Sequence, residues 1–277
     1  MAMEIEQHFI VKYEAAVHLA YQQRGSKLRK AVRLVTGVNS AQYKFPKSGR
    51  GQAGKKARNG NVPIMGAGSS SVTVTLEDWY AADYVDTLDQ AKTNVDELGV
   101  IANIGAFAVG RKMDDLIISK AATASKVIPV GATGLTRAKV LEAFAYLNNK
   151  DVPDDGQRFA AVGANQWNEL LAIEEFKNSD YAGDAFPWLK GAETRVWLGT
   201  VWMFHSGLPL ASGTRTCFMW HKDSLGLAEG VGIKTHIDWV PEKAAHLVDN
   251  IMSAGAALID SDGVVAIECD DDAAIPA

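Results

Sequence analysis

Between Phe45 and Ser71 the chain reads FPKSGRGQAGKKARNGNVPIMGAGSSS. Gly49, Gly54 and Lys55 stand at phosphate-loop spacing, and Gly49, Gly51 and Gly54 also fit the dinucleotide fingerprint G-x-G-x-x-G. A working phosphate loop follows a buried strand, opens a helix, and carries Ser or Thr after its lysine to hold magnesium. Here Lys56 occupies the hydroxyl position, and the run before the glycines contains Pro46, Lys44 and Lys47. The run after them, Ala57 to Pro63, cannot start a helix, and no acidic residue appears until Glu77. The spacing is therefore the chance product of a glycine-rich loop, and no nucleotide or other cofactor is expected.

Other chemistry finds less support. None of the six histidines (His8, His18, His205, His221, His236, His246) pairs with another at helical spacing, and there is no H-E-x-x-H, so no metal site is expected. Asp260 and Asp262 flank a turn but lack the further ligands of a calcium loop, and Asp270, Asp271 and Asp272 read as a solvated acidic tail. No G-x-S-x-G occurs, and Cys217 and Cys269 belong to no catalytic motif, so the chain is not expected to be an enzyme. Two cysteines without metal spacing fit a reducing compartment and give no disulfide framework. The seven tryptophans sit mostly among strand-like residues and read as core or interface anchors.

Charge is divided unevenly along the 277 residues, although the net value is only −5. From Ala15 to Leu76 there are eleven Lys or Arg and no Asp or Glu, while from Glu77 onward acids outnumber bases. A basic segment beside an acidic body predicts two mutually attractive surfaces on different copies of the chain. The rival is a nucleic-acid-binding protein using the basic 44–58 loop. Tyr43 and Phe45 would supply stacking at its start, but the glycine-rich part has no stacking platform. The N-terminus lacks the pattern of a secretory signal. The longest uncharged apolar run, residues 98–110, is too short to span a bilayer, so no membrane partner is expected.

The elements that would position these groups follow from periodicity. Residues 3–23 predict an amphipathic helix closed by Gly25, and residues 30–35, 41–45 and 71–76 lean to strand. Residues 41–76 then form a two-stranded projection, with six glycines between Gly49 and Gly68 giving a mobile tip. Thr87 and Gln90 suit a capping box opening a helix to about residue 122, weakened at Gly99, Gly105 and Gly110. Thr136 caps a helix with Val140, Leu141, Phe144, Ala145 and Leu147 inward. A buried strand spans 158–163, and Asn165 caps a helix to about 174. A loop is expected over 179–191, strands over 194–209 and 215–221, and a short helix over 221–230. A long hairpin over 245–269 would turn at Ser261-Asp262-Gly263.

This order, with TLEDWYAADYVDTLDQAKTNVDE and IANIGAFAVGRKMDDLIISKA (75–121), resembles the major capsid proteins of tailed double-stranded DNA bacteriophages, the Hong Kong ninety-seven type. Gly110, Arg111, Asp114 and Asp115 stand where that family has a Gly-Arg-x-x-Asp segment. SAQYKFPKSGR (40–50) is similar to the extended loop of short-tailed phages. The resemblance covers nearly the whole chain and implies an α+β fold: N-terminal arm (1–38), extended loop (39–80), peripheral domain with spine helix (81–126), axial domain (127–243), and a return to the peripheral domain with a C-terminal tail (244–277). It implies pentamers and hexamers forming an icosahedral virion shell around double-stranded DNA bound without sequence specificity, assembled in the bacterial host cytoplasm. A separate scaffolding protein, a portal protein and a decoration protein are the implied partners. Intersubunit contacts are expected at Lys44, Lys47, Arg50, Lys55, Lys56, Arg58, Glu77, Asp78 and Trp79. An encapsulin-like nanocompartment shell shares the fold and is the nearest alternative. Some relatives crosslink a loop lysine, but no acceptor for Lys55 or Lys56 is recognisable here.

Overall fold

The computed structural model describes residues 22–88, 96–173, 176 and 194–273. The predicted arm helix lies outside these residues except at its end, as does the 179–191 loop.

Two sheets share one core. Strands β1 (Arg33–Thr36), β2 (Gln42–Ser48), β3 (Ser69–Thr75) and β4 (Glu77–Asp86) precede helix α1 (Glu97–Ala121). Then come β5 (Lys126–Ile128), α2 (Arg137–Asn149), β6 (Arg158–Val162), α3 (Ala164–Ala172), β7 (Thr194–Trp197), β8 (Thr200–Phe204), β9 (Leu210–Ala211) and β10 (Thr214–His221). The chain finishes with β11 (Leu225–Val240), β12 (Ala245–Leu258) and β13 (Val264–Asp270). One sheet has the order β1-β11-β12-β4. The second runs β5-β13-β10-β6-β8-β7 with β9 beside β10, and β2-β3 stand as a separate hairpin.

The long helix starts at Glu97, not at Thr87. Asp96 caps it by accepting from the Gly99 amide at 3.1 Å, and its carboxylate fills the space a Cβ on Gly99 would need. Thr87 instead donates its hydroxyl to the Ala244 carbonyl at 2.9 Å, and Gln90 lies outside the described residues. The helix is unbroken through its glycines and about 37 Å long at 1.5 Å per residue. Gly105, Val109, Met113, Ile117 and Ala121 form its buried stripe at four-residue spacing. Gly105 and Gly110 are close-approach sites. A Cβ on the first would meet Asn250 Nδ2 at 2.1 Å, and on the second the Gly25 Cα at 2.7 Å.

Several expectations change. Helix α2 keeps its Thr136 cap, but Leu141 faces solvent, and Lys139, Val140, Ala143 and Leu147 point inward. Gly163, not Asn165, caps α3, and the Asn165 amide donates to the Asp271 carbonyl. Residues 221–230 are not a helix: a 3-10 turn at Lys222–Ser224 leads directly into β11. Nor is 245–269 a hairpin. Strand β12 pairs with β11 and β4, whereas β13 pairs with β10 and β5, so the turn at Ser261–Gly263 passes the chain from one sheet to the other. The true long hairpin is β11-β12, turning at Pro241–Lys243 with Ala244 left-handed.

At the end formed by residues 225–228 and 254–257 the β1-β11-β12-β4 sheet is covered on both faces. Leu225, Leu227, Met252, Ala254 and Ala256 join the main core on the helix side. On the other side Ala228, Ala257 and Ile259 meet Phe45 and Val74 from the β2-β3 hairpin. Gly226 stays small because a Cβ there would meet the Phe45 ring at 2.7 Å. The four best-buried tryptophans, Trp167, Trp197, Trp202 and Trp220, belong to the main core, while Trp239 is half exposed and Trp188 is outside the described residues. Phe45 is fully buried, so Phe45→Ala should lower the stability of the unassembled subunit by about 3–5 kcal/mol. The check is a lower urea midpoint in equilibrium unfolding.

Candidate assembly surfaces

The β2-β3 hairpin is rooted by more than Phe45. Lys47 pairs with Asp260 at 3.0 Å, and Arg50 pairs with Asp151 at 2.8 Å and also donates to the Lys150 carbonyl. Nearby, Lys150 pairs with Asp262 at 3.0 Å. These are ion pairs within the chain, so Lys47 and Arg50 hold the root in place. Beyond Ser48 and Ser69 the ladder ends, but the limbs stay together, with the Gly49 amide donating to the Gly68 carbonyl. A Cβ on Gly51 would overlap Met65, and one on Gly54 would overlap Pro63. The glycines that imitate a phosphate loop therefore line the seam between two limbs. A turn closes them, with the Gly60 amide bonded to the Ala57 carbonyl and Asn59 left-handed.

Lys55, Lys56 and Arg58 lie around that turn, exposed, with no ion pair to a described residue. On the return limb Val62, Ile64 and Met65 are 72%, 95% and 61% exposed. Lys44 is exposed on β2. Of the β4 residues, Glu77 and Asp78 are exposed, whereas Trp79 packs against the main core beneath Lys112, whose ammonium lies 4.1 Å from the ring centre.

A second site lies where the arm joins the body, around the Gly-Arg-x-x-Asp segment. Asp114 of α1 is fully buried. Its carboxylate accepts from the Gln23 amide, the Ser26 hydroxyl, the Lys27 and Leu28 backbone amides, and His205 Nε2, at 2.5–3.1 Å. Burial alone pushes this carboxyl up, but the bonds from His205, Ser26, Lys27 and Leu28 outweigh it and hold the carboxyl below its ordinary range. Arg111 donates to Gln22 Oε1 at 2.7 Å, and Gly110 lets the Gly25 backbone pass. Arg29 forms a bidentate pair with buried Glu229 at 2.7 and 2.8 Å, and the Trp220 indole donates to the Ala31 carbonyl. The Gly-Arg-x-x-Asp segment is thus a clamp on residues 22–28, and Glu229 and Trp220 hold residues 29–31.

Asp271 is also not the solvated tail residue expected. Arg215 binds it through two bonds of 3.1 and 3.0 Å, and this outweighs its partial burial, which pushes the carboxyl up, and holds it below the usual range. Among the described residues no three His, Cys, Asp or Glu side chains gather as metal ligands, and no helix is long and apolar enough to cross a membrane.

Such a chain, with a projecting hairpin, a long helix against a two-faced sheet and a separate larger sheet, matches known shells. The capsid of Ralstonia phage GP4 superposes with a TM-score of 0.70 at 10% identity, each chain covered 100%. The capsid of a native GTA particle gives 0.70 at 14% identity, with 98% of each chain covered. The capsid of Cyanophage P-SCSP1u gives 0.68 at 14%, covering 94% of this chain and 93% of that one. These likenesses establish the fold as the phage capsid fold of the Hong Kong ninety-seven type. No curated protein matches the chain. The phage capsid protein family matches residues 5–271, and the chain belongs to that family. It is a structural subunit of the virion shell that assembles with copies of itself, not an enzyme.

Replacing Asp114 with asparagine keeps the shape but turns an amide donor toward other donors. Asp114→Asn should destabilise the subunit by about 3 kcal/mol. Because the folded carboxyl is held low, its contribution is complete above the ordinary value near 3.9 and is lost as pH falls through the folded value. Amide exchange at residues 22–28 should therefore rise on acidification in the wild type and be high at every pH in the variant.

Proposed function

We propose that this chain is the major subunit of an icosahedral phage head, forming pentamers and hexamers in which the hairpin tip bridges neighbouring copies. The observation that supports this is the tip itself. Three cations with no ion pair among the described residues and three highly exposed apolar side chains sit at the end of a projection whose root is fixed by Phe45, Lys47 and Arg50. An apolar group so exposed gains by burial, and exposed cations favour an acidic neighbour. Lys55, Lys56 and Arg58 at the tip, and Lys44 on β2, are the intersubunit cations in this reading. Glu77 and Asp78 are assigned to the receiving side. Trp79 supports β4 from within.

The division into domains follows the sheets in this reading. The β1-β11-β12-β4 sheet with α1 forms the peripheral domain, and the second sheet, including β13, forms the axial domain. A separate scaffolding protein guides assembly in the host cytoplasm, a portal protein occupies one vertex, and packaged double-stranded DNA is enclosed without sequence recognition. A decoration protein on the outer surface belongs to the same reading.

The hairpin assignment is tested by replacing residues 51–66 with Asn-Gly, a turn that closes two strands directly and leaves Arg50 in place. The variant subunit should fold with an unchanged urea midpoint and form no shells by negative-stain microscopy. Normal shells from this variant would refute the assignment.

A further inference from the structure

The loop between β5 and α2 folds its carbonyls around a positive charge. Lys139 of α2 is buried beneath it. Its ammonium nitrogen lies 2.7 Å from the Val130 carbonyl oxygen, 2.8 Å from that of Thr133, 3.0 Å from that of Gly134 and 2.9 Å from that of Glu268. Four acceptors therefore converge on a group with only three N–H bonds to give.

The backbone is bent to build this cage. Gly131 and Ala132 are both left-handed, with φ of 56° and 52°, and the Thr133 amide closes the turn on the Val130 carbonyl at 3.1 Å. Ala132 carries a Cβ, so its left-handed backbone is costly. Three carbonyls of one loop then meet at one point, where their dipoles repel unless a cation stands between them. The fourth comes from β13, which the Asp270 amide also ties to the Thr133 carbonyl at 3.0 Å. Beside the cage the buried Glu169 carboxylate accepts from the Leu135 amide, and Gly134 stays small because a Cβ there would overlap that carboxylate.

Converging carbonyls are what replaces the hydration shell of a monovalent cation. The oxygens stand 2.7–3.0 Å from the nitrogen, beyond the roughly 2.3–2.6 Å that calcium takes and the roughly 2.0–2.1 Å of magnesium. The cage suits a larger ion. We infer that the β5–α2 loop and β13 form a monovalent-cation site of the potassium or ammonium class, and that Lys139 fills it with an ion of its own. A free ion would leave on dilution, whereas this one is tethered through its side chain. It joins the loop, α2 and the last strand of the second sheet without depending on the surrounding salt.

Lys139→Met tests this, because methionine keeps the apolar stem and deletes the charge. Urea unfolding of the unassembled subunit is followed in tetramethylammonium chloride, whose cation is too bulky for the cage, and in potassium or ammonium chloride at equal ionic strength. The wild type should show one midpoint in all three salts. The variant should have a lower midpoint in tetramethylammonium. Its folded-to-unfolded ratio should rise about tenfold for each tenfold increase in potassium or ammonium once the site begins to fill. Equal midpoints for variant and wild type in tetramethylammonium overturn the site. So does a folded variant whose loss neither potassium nor ammonium reverses, or a wild type with the same potassium dependence. If Lys139→Met does not fold in any of these salts, Lys139→Ala decides with propylammonium chloride, which supplies the missing stem and ammonium together. Refolding with propylammonium but not with tetramethylammonium upholds the site, and no refolding overturns it.

Discussion

A carboxylate with no exposed surface needs a donor for each of its lone pairs, and Asp114 obtains them from two distant parts of the chain at once. That requirement fixes the molecule's layout. Two of the donors are backbone amides at Lys27 and Leu28, so the chain entering the body has to curl around the carboxylate. The curl is possible because Gly25 takes a positive φ of 76° and passes directly over Gly110. His205 brings in the end of β8 and with it the second sheet. Three residues further along the entering segment than Ser26, Arg29 reaches Glu229 and ties the same junction to β11. Helix, arm and both sheets therefore share one electrostatic knot. Breaking it costs much more than losing an exposed ion pair such as Arg50 with Asp151, whose partners stay hydrated.

The second constraint is that one sheet serves two layers. Along Leu225-Gly226-Leu227-Ala228, large residues alternate with small ones because the helix side needs filling and the hairpin side needs room for Phe45. This is why the segment misleads as sequence. Alternation between apolar and polar residues marks a strand with one wet face, and here both faces are dry. What remains is a run of small and apolar residues ending in Gly230, which imitates a short helix with a glycine stop. The 245–269 misreading has a different origin. Asp260 to Gly263 is a real turn, but local turn chemistry cannot reveal that the flanking strands join different sheets.

Much else was legible because it depended on local pattern. The β-branched residues of 71–76 marked β3, and Thr136 marked the start of α2. The glycines do more than give the chain freedom. Their small size matters at the seam facing Met65 and Pro63, and at Gly105 and Gly110, as much as their freedom does. Asp114 could be singled out only by likeness to a family. Its partners lie 86 to 91 residues away along the chain, beyond the range of any periodicity.

From Ser48 to Asn59 the outgoing limb runs eleven residues past the ladder, about 35 Å if extended. At that length the hairpin is a lever. A subunit tilted by about 5° moves its tip by about 3 Å, roughly the length of a hydrogen bond. In a shell that combines pentamers with hexamers the same chain sits at several tilts, so a lever stiff from root to tip would fit one curvature and miss the others. Here stiffness is confined to the root, where Phe45 and two ion pairs hold it, and compliance to the glycine-lined limbs. Curvature is set where the chain is rigid and tolerated where it is thin.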